Sequence, residues 1–146
     1  MKLTDHFNLN EFTTSQTATR HGIDNTPSEK VVENLRMLAA LLEQVRELLG
    51  GGAIRISSGY RCLALNRHIG SNDTSAHIRG WAADFTCPSF GKPIAVAKKI
   101  AESNLKFDQL IYEGTWIHIS CDPQNRRQLL TARFEHGHTY YTTGIA

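Results

Sequence analysis

The sequence predicts an α+β domain, with a long helix early and a small antiparallel sheet late. Three observations predict it. Apolar residues between Val31 and Leu49 recur with a helical period, short alternating runs dominate after residue 53, and tight-turn signals separate those runs. The 146 residues are the length of one domain with its own core, read as residues 1–146 with an N-terminal arm over 1–25.

The arm is polar, with anchors at Phe7, Leu9, Phe12 and Ile23 and one helical turn expected near Asn10 to Ser15. The long helix then starts on a capping pattern. Thr26 suits the cap, Pro27 the first helical position, and Glu29 the place three after the cap. Val31, Val32, Leu35, Leu38, Ala39, Leu42, Val45 and Leu49 form its apolar stripe, and Gly50-Gly51-Gly52 ends it. Ala53 to Tyr60 alternates as a strand does. Residues 61–80 form a polar connection with a helical turn near Leu63 to Arg67. Trp81 to Cys87 is the next strand, stopped by Pro88, and Ile94 to Asn104 is a second helix. Phe107 to Glu113 and Trp116 to Cys121 form a hairpin around Gly114-Thr115. Gln128 to Glu135 and Thr139 to Thr143 pair around His136-Gly137-His138.

Composition excludes several functions. Sixteen basic residues against 14 acidic ones leave a net charge of +2, which makes no case for nucleic acid or a membrane surface. No apolar run suits a signal peptide or a membrane span, so synthesis in the cytoplasm is expected, with no membrane insertion. Three cysteines without close spacing do not make a disulfide scaffold or a cysteine-rich zinc finger. Strand alternation turns Cys87 and Cys121 away from the proposed ligands, so both are read as packing residues, as is Cys62.

The chemistry sits in two segments. His77 and Asp84 lie seven apart across Gly80, which breaks any single helix; His77 is placed on a loop entering the strand and Asp84 on the strand itself. An imidazole and a carboxylate converging on one point are part of a zinc site. His118 lies in the middle of the apolar strand Trp116-Ile117-His118-Ile119-Ser120, where a buried imidazole needs a partner. With a two-residue turn at Gly114-Thr115, Ile111 pairs with His118. Glu113 then shares its face as a diagonal neighbour, on the order of 5.5–8 Å away. Two histidines and one aspartate leave a fourth zinc position for water, with a carboxylate nearby as general base. Arg61 ends the preceding strand and can polarise a carbonyl or grip a carboxylate. Taken singly, His118 is an ordinary hydrogen-bonded core histidine, Asp84 a partner for Arg79 or a turn cap, Glu113 a solvated turn acid, and Arg61 a surface charge. His136 and His138 mark a polar hairpin tip, and His6, His21 and His68 have no partner pattern.

At these residues the chain resembles the zinc D-alanyl-D-alanine peptidases, related to lysostaphin-type peptidases and the hedgehog signalling domain. The carrying pattern is Ser75-x-His77-x-x-Gly80-x-Ala82-x-Asp84 followed by Trp116-Ile117-His118-Ile119-Ser120. Ser57-x-Gly59-Tyr60-Arg61, Asp24-Asn25-Thr26-Pro27, Phe107-Asp108-Gln109-Leu110-Ile111 and Asn125-Arg126-Arg127 extend it over nearly the whole chain. The most similar variant is the small single-domain form of phages and prophages. The resemblance implies a hedgehog/D-Ala-D-Ala-peptidase-like fold and Zn2+ held by His77, Asp84 and His118. Arg61 would stand at the substrate oxyanion, and Ser75 would help bind substrate. Many relatives place an acid three residues before the last histidine. Here that residue is Thr115, so the catalytic base falls to Glu113, five residues before that histidine and next to the hairpin turn.

The expected activity is that of a metallopeptidase of cell-wall peptidoglycan, a carboxypeptidase or an endolysin-type endopeptidase of stems and cross-links. The rival is a catalytically inactive, zinc-stabilised binding domain. The expected partners are peptidoglycan peptides and no nucleic acid. Delivery to the cell wall or periplasm would need a phage lysis or tail partner, and the chain is expected to be a monomer.

Overall fold

The computed structural model describes all 146 residues. A hairpin of β1 (Lys2–Thr4) and β2 (Phe7–Asn8) leads into α1 (Leu9–Thr13), α2 (Gln16–Arg20) and the long α3 (Glu29–Leu48). After these come β3 (Arg55–Ser58), α4 (Leu63–Ile69), a 3-10 helix (Ala76–Arg79), β4 (Ala82–Thr86) and α5 (Pro93–Ala101). The chain ends in β5 (Gln109–Tyr112), β6 (Ile117–Ser120), β7 (Gln128–Glu135) and β8 (His138–Thr143).

The N-terminal 25 residues are more structured than an arm with one helical turn. They form a hairpin and two short helices, and Phe7 and Phe12 are fully buried in the main core. α3 packs Leu35, Leu38, Leu42 and Val45 into that core as its period requires. Its cap differs from the expected one. The Thr26 hydroxyl and backbone N–H both donate to Asp24 Oδ1, at 2.6 and 3.0 Å, so Thr26 is spent on a local turn. Ser28 takes the cap instead, its Oγ accepting from Val31 N–H at 3.3 Å, and Pro27 precedes the helix rather than opening it. Gly50 and Gly51 end the helix with positive φ, as expected.

The sheet is six-stranded and mixed, in the order β3-β4-β6-β5-β7-β8, which corrects the small antiparallel sheet. Every neighbour is antiparallel except β5 and β7. β6 already covers one edge of β5. The loop after β6 passes the start of β5 and lays β7 on the free edge, antiparallel to β6 and therefore parallel to β5. Asn125 and Arg127 take positive φ in that crossing, and Asp108 holds it by accepting from the Arg126 backbone N–H and guanidinium at 2.8–3.0 Å.

The β5–β6 hairpin has the expected register, with Ile111 opposite His118 and the Glu113 N–H bonded to Trp116 O at 3.0 Å. The last hairpin turns on His136 and Gly137, both with positive φ, the signature of a tight two-residue turn.

Candidate metal centre and its cleft

β4 and β6 are neighbours, and their register sets Asp84 directly opposite His118. Both side chains therefore stand on one face of the sheet. His77 reaches the same point from the 3-10 helix rather than from a loop. Ser75 caps that helix by accepting from the His77 N–H at 3.3 Å, and Gly80 closes it with a positive φ. A Cβ on Gly80 would lie 3.0–3.2 Å from Val31 and Leu35 of α3. Asn34 of α3 also donates to Arg79 O at 2.8 Å, so the long helix is the backing of the histidine.

The three side chains converge. His118 Nδ1 lies 3.0 Å and His77 Nε2 3.3 Å from Asp84 Oδ1. One ligand atom from each falls within 4.8 Å of the others. His77 Nδ1 donates to Gly59 O at 2.6 Å, which fixes the ring and turns Nε2 inward. Metal-binding histidines are oriented by this kind of bond. Burial pushes the Asp84 carboxyl upward, but bonds from His118 and His77 outweigh it and hold the group well below the ordinary carboxylate range. Burial also pulls the His77 imidazole down. An ionised carboxylate and a neutral imidazole are the forms that bind metals. Two imidazole nitrogens and one carboxylate oxygen also match the ligand chemistry of zinc, with a fourth position left over. The residues present therefore fit a zinc ion.

Arg61 and Glu113 are among the charged side chains that line the cleft around this cluster, which has a volume of about 700 Å³. Arg61 follows β3, and its backbone N–H donates to His77 O at 3.1 Å. Its Nε is buried without a partner in the protein. The segment is held from behind by Asn25, which donates to Thr13 O and Tyr60 O and accepts from the Cys62 N–H at 2.7–3.1 Å. Gly59 lies so close to α1 that an added Cβ would be 2.6 Å from Phe12 O, which explains the glycine before Tyr60-Arg61. Glu113 follows β5, half-buried, and its Oε2 accepts from Trp116 Nε1 at 3.0 Å. Burial first, then the charge of Asp84, pushes its carboxyl above the ordinary value.

Residues 5–120 match the model of a family described as Peptidase M15. The chain belongs to the peptidase M15 family. Membership agrees with the resemblance to zinc D-alanyl-D-alanine peptidases and supports peptidase activity. No curated protein matches the chain.

In this M15 chain all six residues singled out in the sequence, Arg61, Ser75, His77, Asp84, Glu113 and His118, line one cleft. Trp81, Trp116 and Tyr141 line it too and were not anticipated. Trp116 was within reach of the strand pattern, since it shares a face with His118. Tyr141 was not, because it depends on the long-range pairing of β7 with β5.

The remaining histidines and cysteines sort out differently from the sequence reading in places. His6 Nδ1 lies 2.7 Å from Glu43 Oε1, and the His21 and His68 rings sit 4.1 Å apart, so these three do have partners. Cys87 is buried in the core. Cys121 is packed against it, and burial pushes its thiol up to about 12. Cys62 departs from a pure packing role, because its Sγ accepts from the Leu65 N–H at the start of α4. All three cysteines are free.

Proposed function

We propose that this chain is a zinc-dependent peptidase that hydrolyses peptide bonds of peptidoglycan, either at the D-Ala-D-Ala end or within stems and cross-links. The observation that carries the reading is the buried convergence of His77, Asp84 and His118 beneath a cleft walled by Arg61 and Glu113.

His77, Asp84 and His118 would hold the ion. Zinc bound there would supply Lewis-acid chemistry, polarising a carbonyl and making water a stronger acid at neutral pH. Glu113 takes a proton from the attacking water and returns it to the leaving amine. Its raised proton affinity suits that exchange, and the Trp116 indole N–H fixes its carboxylate. Arg61 presents its guanidinium to the carbonyl oxygen as negative charge develops. Its backbone bond to His77 O ties that position to the metal centre. Ser75 both caps the helix of His77 and faces the cleft, where it can meet substrate.

The placement of Glu113 on the cleft wall supports catalysis over a zinc-stabilised binding domain. No helix is long and apolar enough to cross a membrane. The proposed place of action is the cell wall, reached by release or with a phage lysis or tail partner. The test is direct. Purified protein with zinc should release new amino groups from peptidoglycan, and mass spectrometry of the fragments names the bond. No release across several cross-link chemistries, with zinc bound, excludes the peptidase reading.

A further inference from the structure

The family match ends at Ser120, but the sheet continues through β7 and β8. The register carries the cleft face outward with it. Tyr112 opposes Thr131, so the next residues, Glu113 and Ala132, lie level, and Ala132 opposes Tyr141. On the other side Glu113 is bonded to Trp116. Trp116, Glu113, Ala132 and Tyr141 thus form one row across the sheet, all on the face of His118. Tyr141 and Glu113 stand two strand spacings apart, about 10 Å. Only the methyl of Ala132 lies between them, and a tyrosine is long enough to lean across it.

The rest of the geometry agrees. Tyr141 lines the cleft together with Glu113, Trp116 and His118, yet half of its surface is exposed. Its phenol has no hydrogen-bond partner in the protein. Burial, then the nearby charges of Glu113 and Asp84, raises the phenol's pKa, so it keeps its proton and is a donor at neutral pH. Alternation turns the adjacent Tyr140 to the opposite face, where it opposes Arg133.

We propose that Tyr141 is a substrate-positioning residue: its phenol donates a hydrogen bond to an oxygen of the peptide lying beside Glu113, and its ring walls that peptide across Ala132. The proposal rests on the peptidase reading above and places part of substrate selection in the C-terminal hairpin.

The test uses the zinc-loaded full chain and a soluble disaccharide-peptide prepared from peptidoglycan. Tyr141→Phe should raise KM about fivefold, the worth of one neutral hydrogen bond, with kcat nearly unchanged. Tyr141→Ala should raise KM further, and Tyr140→Phe should leave both constants alone. An unchanged melting temperature in Tyr141→Phe separates the contact from a packing effect. Binding of the same peptide to Glu113→Gln protein, measured by calorimetry, should weaken by the same factor when Tyr141→Phe is added. Unchanged KM and binding in both Tyr141 variants overturn the proposal. Binding that depends on Tyr141 but is never followed by cleavage in the unaltered chain overturns the peptidase reading and keeps the contact. No binding by any of the proteins overturns both.

Discussion

The strands β4 and β6 and the hairpin β7–β8 share one sheet face, yet they are built under opposite constraints. Every residue of β6 is buried, while five of the six in β8 are exposed. In the central pair a polar side chain survives only by having a partner. Asp84 and His118 satisfy each other, and His77 is satisfied by Gly59 O. In the hairpin Tyr140, Tyr141 and Phe134 face solvent and can change with little effect on the fold. The contrast teaches that reaction chemistry sits where sequence is pinned by packing, and selection sits where it is free.

The largest effect that can break this contrast is at the centre. His118→Ala should abolish zinc retention and activity together, read by elemental analysis and amine release. Glu113→Gln should keep the metal but lower kcat by about 10²–10⁴, the usual worth of a general base. Loss of metal in that variant would make Glu113 a structural partner instead. Next comes stability. Gly59→Ala should cost about 2–3 kcal/mol in denaturant melts, since its Cβ must displace the backbone of α1. Tyr140→Ala in the hairpin should cost under about 0.5 kcal/mol, and equal costs would erase the distinction.

The seam between the two regions gives a pH-dependent test. The bond from Arg126 holds the Asp108 carboxyl below its ordinary value. A group depressed on folding stabilises fully above its unfolded pKa, near 3.9, and loses that contribution as pH falls through the folded value. Asp108→Asn should therefore cost about 1–2 kcal/mol at neutral pH, and the gap to the unaltered chain should close below about pH 4. A gap that stays constant to pH 2 would show that the carboxylate charge is not what holds the crossing.

The residues of the candidate metal site were legible in the sequence from local patterns and the family resemblance, whereas the β4–β6 pairing that sets Asp84 opposite His118 was not. Gly80 separates His77 from Asp84, and the two-residue turn Gly114-Thr115 dictates that Ile111 opposes His118. The long helix was legible from its period. Its cap was not, since Asp24, Thr26 and Ser28 compete within five residues and the side-chain bond between the first two decides the outcome. The parallel pairing of β5 with β7 depends on residues far apart in the chain, so nothing local announces it. Tyr141 was lost with it, as was the structure of the first 25 residues, whose hairpin is held by tertiary contacts to α3.

The Asn25 clamp has a mechanical consequence. It knots the start of the chain to the backbone on either side of Arg61, while the Arg61 N–H is fastened to His77 O. Tension or thermal loosening that enters at the first helices travels through two hydrogen-bonded links before it arrives at an imidazole. Loosening of the first helices would therefore reach the backbone that carries Arg61 and His77 while leaving every candidate ligand residue intact.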